Sequence, residues 1–169
     1  VRWEDGRLVL LDQTRLPTEE VERACTGWRE VADAIRTLVV RGAPAIGVAA
    51  AFGVVLAARE SRAADSAGLL ADLEEAIKGL AATRPTAVNL FWALDRMRRA
   101  IEAKRDLPRA ALADHLLAEA RAILSEDLAA NHAMGAHGAE LVPQGARLLT
   151  HCNAGALATA GYGTAVGVI

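Results

Sequence analysis

The amino-acid sequence predicts an α+β chain. An N-terminal β-hairpin and a mostly helical bundle fill residues 1–142, and the first strand of a truncated, Rossmann-like α/β domain opens within 143–169. Three observations carry this expectation. Asp5-Gly6, a strong type I′ turn signal, sits between two short runs of strand character. From Trp28 to Leu128 apolar residues recur at helical spacing in successive blocks. Pro143-Gln144-Gly145 then breaks the helical pattern, and the apolar run Leu148-Leu149 stops at Thr150-His151-Cys152-Asn153, followed by small residues. A buried strand ending in a polar, glycine-containing turn is how α/β sheets present reactive groups at their carboxyl edge. A core strand followed by an ordinary loop with a structural thiol is the alternative.

Taken in order, Arg2-Trp3-Glu4 and Arg7 to Asp12 form the hairpin, which Leu16-Pro17-Thr18 ends. Val31, Ala32, Ile35, Leu38 and Val39 mark a first helix that stops at Arg41-Gly42. Pro44 suits a first helical turn, and the second helix runs to about Arg59. Being apolar all round, it belongs at the centre of a bundle. Leu69, Leu70, Leu73, Ile77 and Leu80 mark a third helix, ended near Thr83-Arg84-Pro85. Val88 to Ala103 is a fourth, expected to bury Leu90, Phe91, Leu94, Met97 and Ile101. Pro108 opens a fifth, with Leu112, Leu116, Ala120, Ile123, Leu124 and Leu128 on one face, fading around Met134-Gly135.

With 53% hydrophobic residues, the 169-residue chain has material for one sizeable core, and the 4% aromatic content makes that core one of closely approaching helices. A net charge of -2 and a pI near 6.1 give no electrostatic footprint for nucleic acid or an anionic membrane. Cys25 and Cys152 form no CxxC pair, which suits a reducing cytoplasm. The most apolar stretch, Ala43 to Ala58, is shorter than the ~20 residues that cross a bilayer and reads as a buried helix. Val1 is not an initiator methionine, and Gly163 to Ile169 carries no charge or cap, so the chain is expected to be the amino-terminal part of a longer protein.

Two segments share an odd feature. Arg41-Gly42-Ala43-Pro44 and Arg84-Pro85-Thr86 each place an arginine immediately before an expected helix start. A cation there opposes the helix dipole at a cost of ~0.3–1 kcal/mol unless an anion lies between them. A phosphate would resolve the conflict by accepting bonds from first-turn N–H groups and from the guanidinium. Solvated arginines, or arginines paired to carboxylates, are the alternative. His132 and His137 lie five apart and His115 is distant, so no metal pair is expected and solvated histidines are. Gly155, Gly161 and Gly163 make no nucleotide-binding fingerprint. Glu74-Glu75 and Glu126-Asp127 read as solvated helix faces.

Together, Val40-Arg41-Gly42-Ala43-Pro44-Ala45-Ile46-Gly47, Thr83-Arg84-Pro85-Thr86-Ala87-Val88-Asn89-Leu90 and Leu149-Thr150-His151-Cys152-Asn153-Ala154-Gly155 resemble the methylthioribose-1-phosphate isomerase family of methionine salvage. That family lies in a superfamily of translation-initiation-factor-2B-like proteins and aldose–ketose isomerases. The likeness runs from Leu11-Asp12-Gln13-Thr14 to Gly161-Tyr162-Gly163-Thr164-Ala165 and covers the first half of such an enzyme. It implies conversion of 5-methylthioribose 1-phosphate to 5-methylthioribulose 1-phosphate, with Arg41, Gly42, Ala43 and Arg84 binding substrate and Cys152 acting at the reacting carbons. It further implies a shielded thiol, a partner aspartate in the second half, no cofactor or metal, and a cytoplasmic homodimer whose partner is a phosphosugar rather than nucleic acid or membrane. On this reading the 169 residues alone are inactive. Ribose-1,5-bisphosphate isomerases and non-catalytic regulatory subunits of the initiation factor are the rival readings within the superfamily.

Overall fold

The computed structural model describes residues 1–169. Three antiparallel strands come first, β1 (Arg2–Glu4), β2 (Arg7–Leu11) and β3 (Glu22–Cys25), in the order β1-β2-β3. Asp5 and Gly6 both have positive φ (48° and 78°), as a type I′ turn requires, and they set the register Trp3 opposite Leu8. β3 was not expected, because Glu22-Arg23-Ala24-Cys25 lacks apolar alternation. Its charges are used laterally instead: Arg2 reaches Glu22 with two nitrogens at 2.5 and 2.6 Å, and Arg23 pairs with Asp33 at 2.8 Å.

Five helices follow: α1 (Trp28–Arg36), α2 (Ala43–Glu60), α3 (Ser66–Ala81), α4 (Val88–Ala103) and α5 (Arg109–Glu140). α2 is the hub. Every side chain from Ala45 to Ala58 is buried, and the helix packs on β2, α1, α3, α4 and α5. By length and composition it is long and apolar enough to cross a membrane, yet 78% of it is buried inside this fold. Only one large ring, Phe52, sits at its centre, stacked on Trp3 at 5.3 Å. Its alanines and glycines replace bulk with close approach, as the composition implied.

Several expectations fail at element ends, each for a tertiary reason. α1 ends at Arg36 rather than Arg41, because Leu38 turns to φ 67° and Val39 gives its carbonyl to the Gln13 N–H at 3.1 Å. Phe91 is exposed, since α4 turns it away from α2. α5 runs on to Glu140 through Gly135 and Gly138, glycines that mark contacts rather than an end. A Cβ on Gly135 would lie 2.8 Å from the Tyr162 ring and from Gly167 O, and one on Gly138 2.7 Å from the Val168 methyls.

The expected strand at Leu148-Leu149-Thr150 is absent. That stretch is irregular and solvent-facing, with Leu149 98% exposed. A strand needs a neighbouring edge for its backbone groups, and no other segment of these residues pairs with it. Beyond it lie a short 3₁₀ turn, η1 (Ala156–Ala158), and a four-residue helix, α6 (Ala165–Val168), packed on α5.

Cys25 is fully buried beneath α1, and burial pushes its thiol up to about 11 from the ordinary 9.0. Between those values only the unfolded chain releases the proton, so stability is whole below pH 9 and falls as pH rises through 11. The full effect is about 3 kcal/mol, two pH units at ~1.36 kcal/mol each. Urea unfolding at pH 8 and 10.5 should therefore show a larger loss in the native protein than in Cys25→Ala.

Candidate active site

The N-termini of α2 and α4 meet. Gly47, in the second turn of α2, lies so close to α4 that a Cβ there would sit 2.8 Å from Asn89 O. A bulkier residue would drive the two helix starts apart. Gly42, the N-cap of α2, does the same for the turn that follows the third motif: its hypothetical Cβ would fall 2.1 Å from Ala158 Cα and 2.2 Å from Ala158 O. The backbone of η1, which begins four residues after Cys152, is thus laid directly on the Arg41-Gly42 segment. The first two motifs meet at one end of the bundle, and the turn that follows the third lies against it.

The two arginines differ in setting. Arg41 is exposed and stands immediately before Gly42. Arg84 is half-buried and lies three residues before the α4 N-cap, Ala87, in a turn closed by Ala87 N–H donating to Arg84 O at 3.0 Å. It does not stand at the helix start, as the sequence suggested. No carboxylate pairs with either arginine, and Arg84 Nη1 is buried with no partner. Arg41 is thus a solvated arginine, and only Arg84, with a buried and unpartnered nitrogen, departs from the surface alternative. Ala43 is exposed at the first position of α2.

The helix starts themselves are unequal. Glu30 accepts from the Gly27 N–H at 3.2 Å and caps α1, and Asp65 accepts from Gly68 N–H at 2.8 Å and caps α3. α2 and α4 have neither a side-chain cap nor an acidic residue in the first turn. Free first-turn N–H groups and a positive dipole end remain there, a ready anion site.

Cys152 is solvent-exposed, not enclosed by alanine and valine as its sequence neighbourhood suggested. It has φ 70°, a left-handed backbone that costs a non-glycine residue roughly 1–2 kcal/mol. No residue from Arg147 to Asn153 makes a backbone hydrogen bond, whereas the loop beyond is heavily tied. Thr164 N–H donates to Ala154 O at 2.9 Å, Gly155 bridges Gly163, and Thr159 Oγ1 accepts from Gly163 N–H at 3.0 Å.

Two residues dismissed as solvated prove to be engaged. Glu126 accepts from two Arg96 nitrogens, one at 2.8 Å, and Asp127 Oδ2 accepts from Ala160 N–H at 2.8 Å. With Pro44, Val48, Val88, Trp92 and Ile123 they line a cleft of about 440 Å³ beside the helix starts. His132 is exposed, as expected, with its ring tilted against Tyr162 at 4.0 Å between centroids, whereas His115 Nε2 is buried without a partner. No three histidine, cysteine or carboxylate side chains gather as a metal site would need.

The model of the initiation factor 2 subunit family matches residues 39–169, which contain all three motifs. The chain belongs to that family. Among relatives in the initiation factor 2 subunit family, it is 57% identical over 170 residues to methylthioribose-1-phosphate isomerase of Pelotomaculum thermopropionicum, covering 100% of this chain and 47% of the relative. The Geobacter sulfurreducens enzyme of the same name is 54% identical over 169 residues, with 100% and 49% covered. The crystal structure of 5-methylthioribose 1-phosphate isomerase from Pyrococcus horikoshii superposes with a TM-score of 0.93 at 42% identity, over 99% of this chain and 47% of that one. A second family structure, translation initiation factor eIF-2B subunit delta from A. fulgidus, gives 0.88 at 46% identity, over 99% and 48%. The chain spans about half the length of the relatives it matches.

The Gly42 contact is testable by stability. Gly42→Ala must push against the backbone of Ala158 and is expected to lose about 1–3 kcal/mol in urea unfolding, the usual cost of overpacking. Gly145→Ala meets no atom within 4 Å and adds only the left-handed penalty at φ 77°, about 1 kcal/mol.

Proposed function

We propose that this chain supplies the phosphate-binding and thiol half of a methylthioribose-1-phosphate isomerase of methionine salvage. The enzyme would convert the aldose 5-methylthioribose 1-phosphate to the ketose 5-methylthioribulose 1-phosphate. The observation that supports the reading is the close approach of two uncapped helix starts, with Arg84 Nη1 buried and unpartnered shortly before one and the turn that follows Cys152 laid on the other. It agrees with relatives of that name at 52–58% identity.

On this reading the sugar 1-phosphate sits at the start of α2, where the Ala43 and Ala45 N–H groups have no intrahelical partner. Pro44 between them has no N–H. Arg41 reaches the anion from the solvent side, and Arg84 gives it the buried Nη1. The phosphate on the anomeric oxygen prevents free ring opening, so the site must open the ring as well as move hydrogen from C2 to C1. Cys152 is the group placed for that chemistry, on a backbone already strained. Residues 143–169 begin a Rossmann-like domain whose remainder closes over the thiol, excludes water and brings the partner aspartate. Residues 1–142 form the helical domain, and the active species is a cytoplasmic homodimer.

The cleft beside the helix starts bears on the substrate's far end. Its walls are apolar, its charged lining is Glu126 and Asp127, and its lining residues include no arginine, lysine or histidine. A thioether is compatible with such a wall, whereas the second phosphate of ribose 1,5-bisphosphate would meet carboxylates. A regulatory, non-catalytic role is favoured by one observation, the likeness to the A. fulgidus initiation-factor subunit. Assay of the full-length protein with both sugar phosphates separates the three readings. Turnover of the methylthio sugar alone is expected; turnover of the bisphosphate alone, or of neither, rejects the proposal.

In that enzyme Cys152→Ser should lower kcat at least 1,000-fold, on the order of 4 kcal/mol of barrier, with little change in KM. Arg84→Ala removes a charge-assisted hydrogen bond of about 1.5–3 kcal/mol and should raise KM roughly 10- to 150-fold. Arg41→Ala, exposed and better screened, should raise KM by less. Steady-state kinetics with the methylthio sugar checks all three.

A further inference from the structure

Two side chains outside the three motifs grip the backbone just downstream of Cys152. Gln13, 8% exposed, donates Nε2 to Leu157 O at 2.8 Å. Its own N–H donates to Val39 O at 3.1 Å, so it is tied to the segment that leads into Arg41-Gly42. From the other side, Asp127 Oδ2 accepts from Ala160 N–H at 2.8 Å and from the buried Asn131 side-chain amide at 3.0 Å. Between these two grips lie Ala158, pressed on Gly42, and buried Thr159, whose hydroxyl accepts from Gly161 and Gly163 N–H at 3.3 and 3.0 Å.

The restraint on Cys152 comes from this side only. The residues leading into it make no backbone hydrogen bond from Arg147 onward. Gly155 is three residue steps from Cys152, a span of at most ~11 Å of extended chain. Whatever fixes residues 155–160 therefore limits where the sulfur can go, while residues 147–151 leave it free. Neither polar group is needed by the apolar core. Each has its bond to a loop carbonyl or a loop N–H, and an apolar residue would leave that loop group unpaired.

We propose that Gln13 and Asp127 are positioning residues: by holding Leu157 within the η1 turn and Ala160 just beyond it, on either side of the Ala158 contact with Gly42, they hold the Cys152 loop in register with the anion-binding start of α2. This inference rests on reading Cys152 as the reactive group. The clamp acts through backbone, so its loss alters the orientation of the thiol and not the binding of phosphate.

The test uses Gln13→Met, Asp127→Ala and Asp127→Asn in the full-length protein, the last keeping an acceptor oxygen. Hydrogen–deuterium exchange of residues 154–164 is read by mass spectrometry, iodoacetamide labelling of buried Cys25 reports whether the fold holds, and kcat and KM are measured for the methylthio sugar. Expected for Gln13→Met and Asp127→Ala are exchange in the loop at least tenfold faster, Cys25 still unlabelled, kcat down 10- to 100-fold and KM within threefold. Asp127→Asn should recover most of kcat. Unchanged loop exchange, or faster exchange with kcat intact, overturns the proposal. If Cys25 labels in Asp127→Ala, Gln13→Met decides, and labelling in both makes the pair a fold staple and overturns it. If the native protein does not turn over the sugar, the functional reading falls, and loop exchange alone then decides whether the clamp exists.

Discussion

The structure depends on a helix whose only polar side chains, Arg59 and Glu60, lie in its last turn. From Ala45 to Ala58 α2 is buried on all sides, so its only hydrogen-bonding groups beyond its own ladder are those at its ends. At the carboxyl end, Ser61 N–H donates to Ala57 O and Arg59 lies in the last turn, an ordinary finish. At the amino end there is neither side-chain cap nor acid, and an arginine stands before the first turn. Surrounded by a strand and four helices, that end cannot shift to find its own partners. A group held this rigidly with unsatisfied donors is organised in advance for an anion, with little reorganisation on binding.

How far the sequence shows this depends on whether a feature is local. The hairpin, the limits of α4 and the all-apolar character of α2 follow from neighbouring residues and were legible. β3 was not, because its strand character comes from pairing with β2 rather than from Glu22-Arg23-Ala24-Cys25 itself. The early end of α1 depends on Gln13, far away in sequence, taking the Val39 carbonyl. Gly135 looked like a helix terminator, since glycine is a poor helix former. Only the fold shows that Tyr162 needs the space. The Leu148-Leu149 run reads as a strand because its residues suit one, yet without an adjacent edge it stays irregular.

The site divides along the same line. Arg41, Gly42 and Arg84 were legible from their conflict with an expected helix dipole, although Arg84 sits farther from its helix than the sequence implied. Gln13 and Asp127 carried no such signal. A glutamine after a strand and an aspartate beside a glutamate on a long helix match any exposed surface. Their importance lies in which backbone groups they meet across more than thirty residues of chain. The clue available in the sequence was indirect: the glycines and small residues from Ala154 to Gly163 require outside partners to adopt one conformation, since such a segment has little side-chain surface to bury.

Several departures from ordinary folding rules lie at the end of the bundle where α2 and α4 start. Elsewhere most surface arginines have carboxylates, α1 and α3 have caps, and the large apolar side chains of α2 and α3 are covered. At this end Arg84 Nη1 is buried and unpaired, two helices start uncapped, Cys152 is held at positive φ and Leu149 faces water. Each departure costs stability singly, and no compensation for them lies within the bundle. Unsatisfied donors at two neighbouring helix starts are a departure that a bound ligand can relieve. An anion at α2 and α4 would satisfy the donors, and an apolar partner surface would cover the leucine. The left-handed backbone at Cys152 remains after both, and on the proposed reading it belongs to the chemistry rather than to assembly.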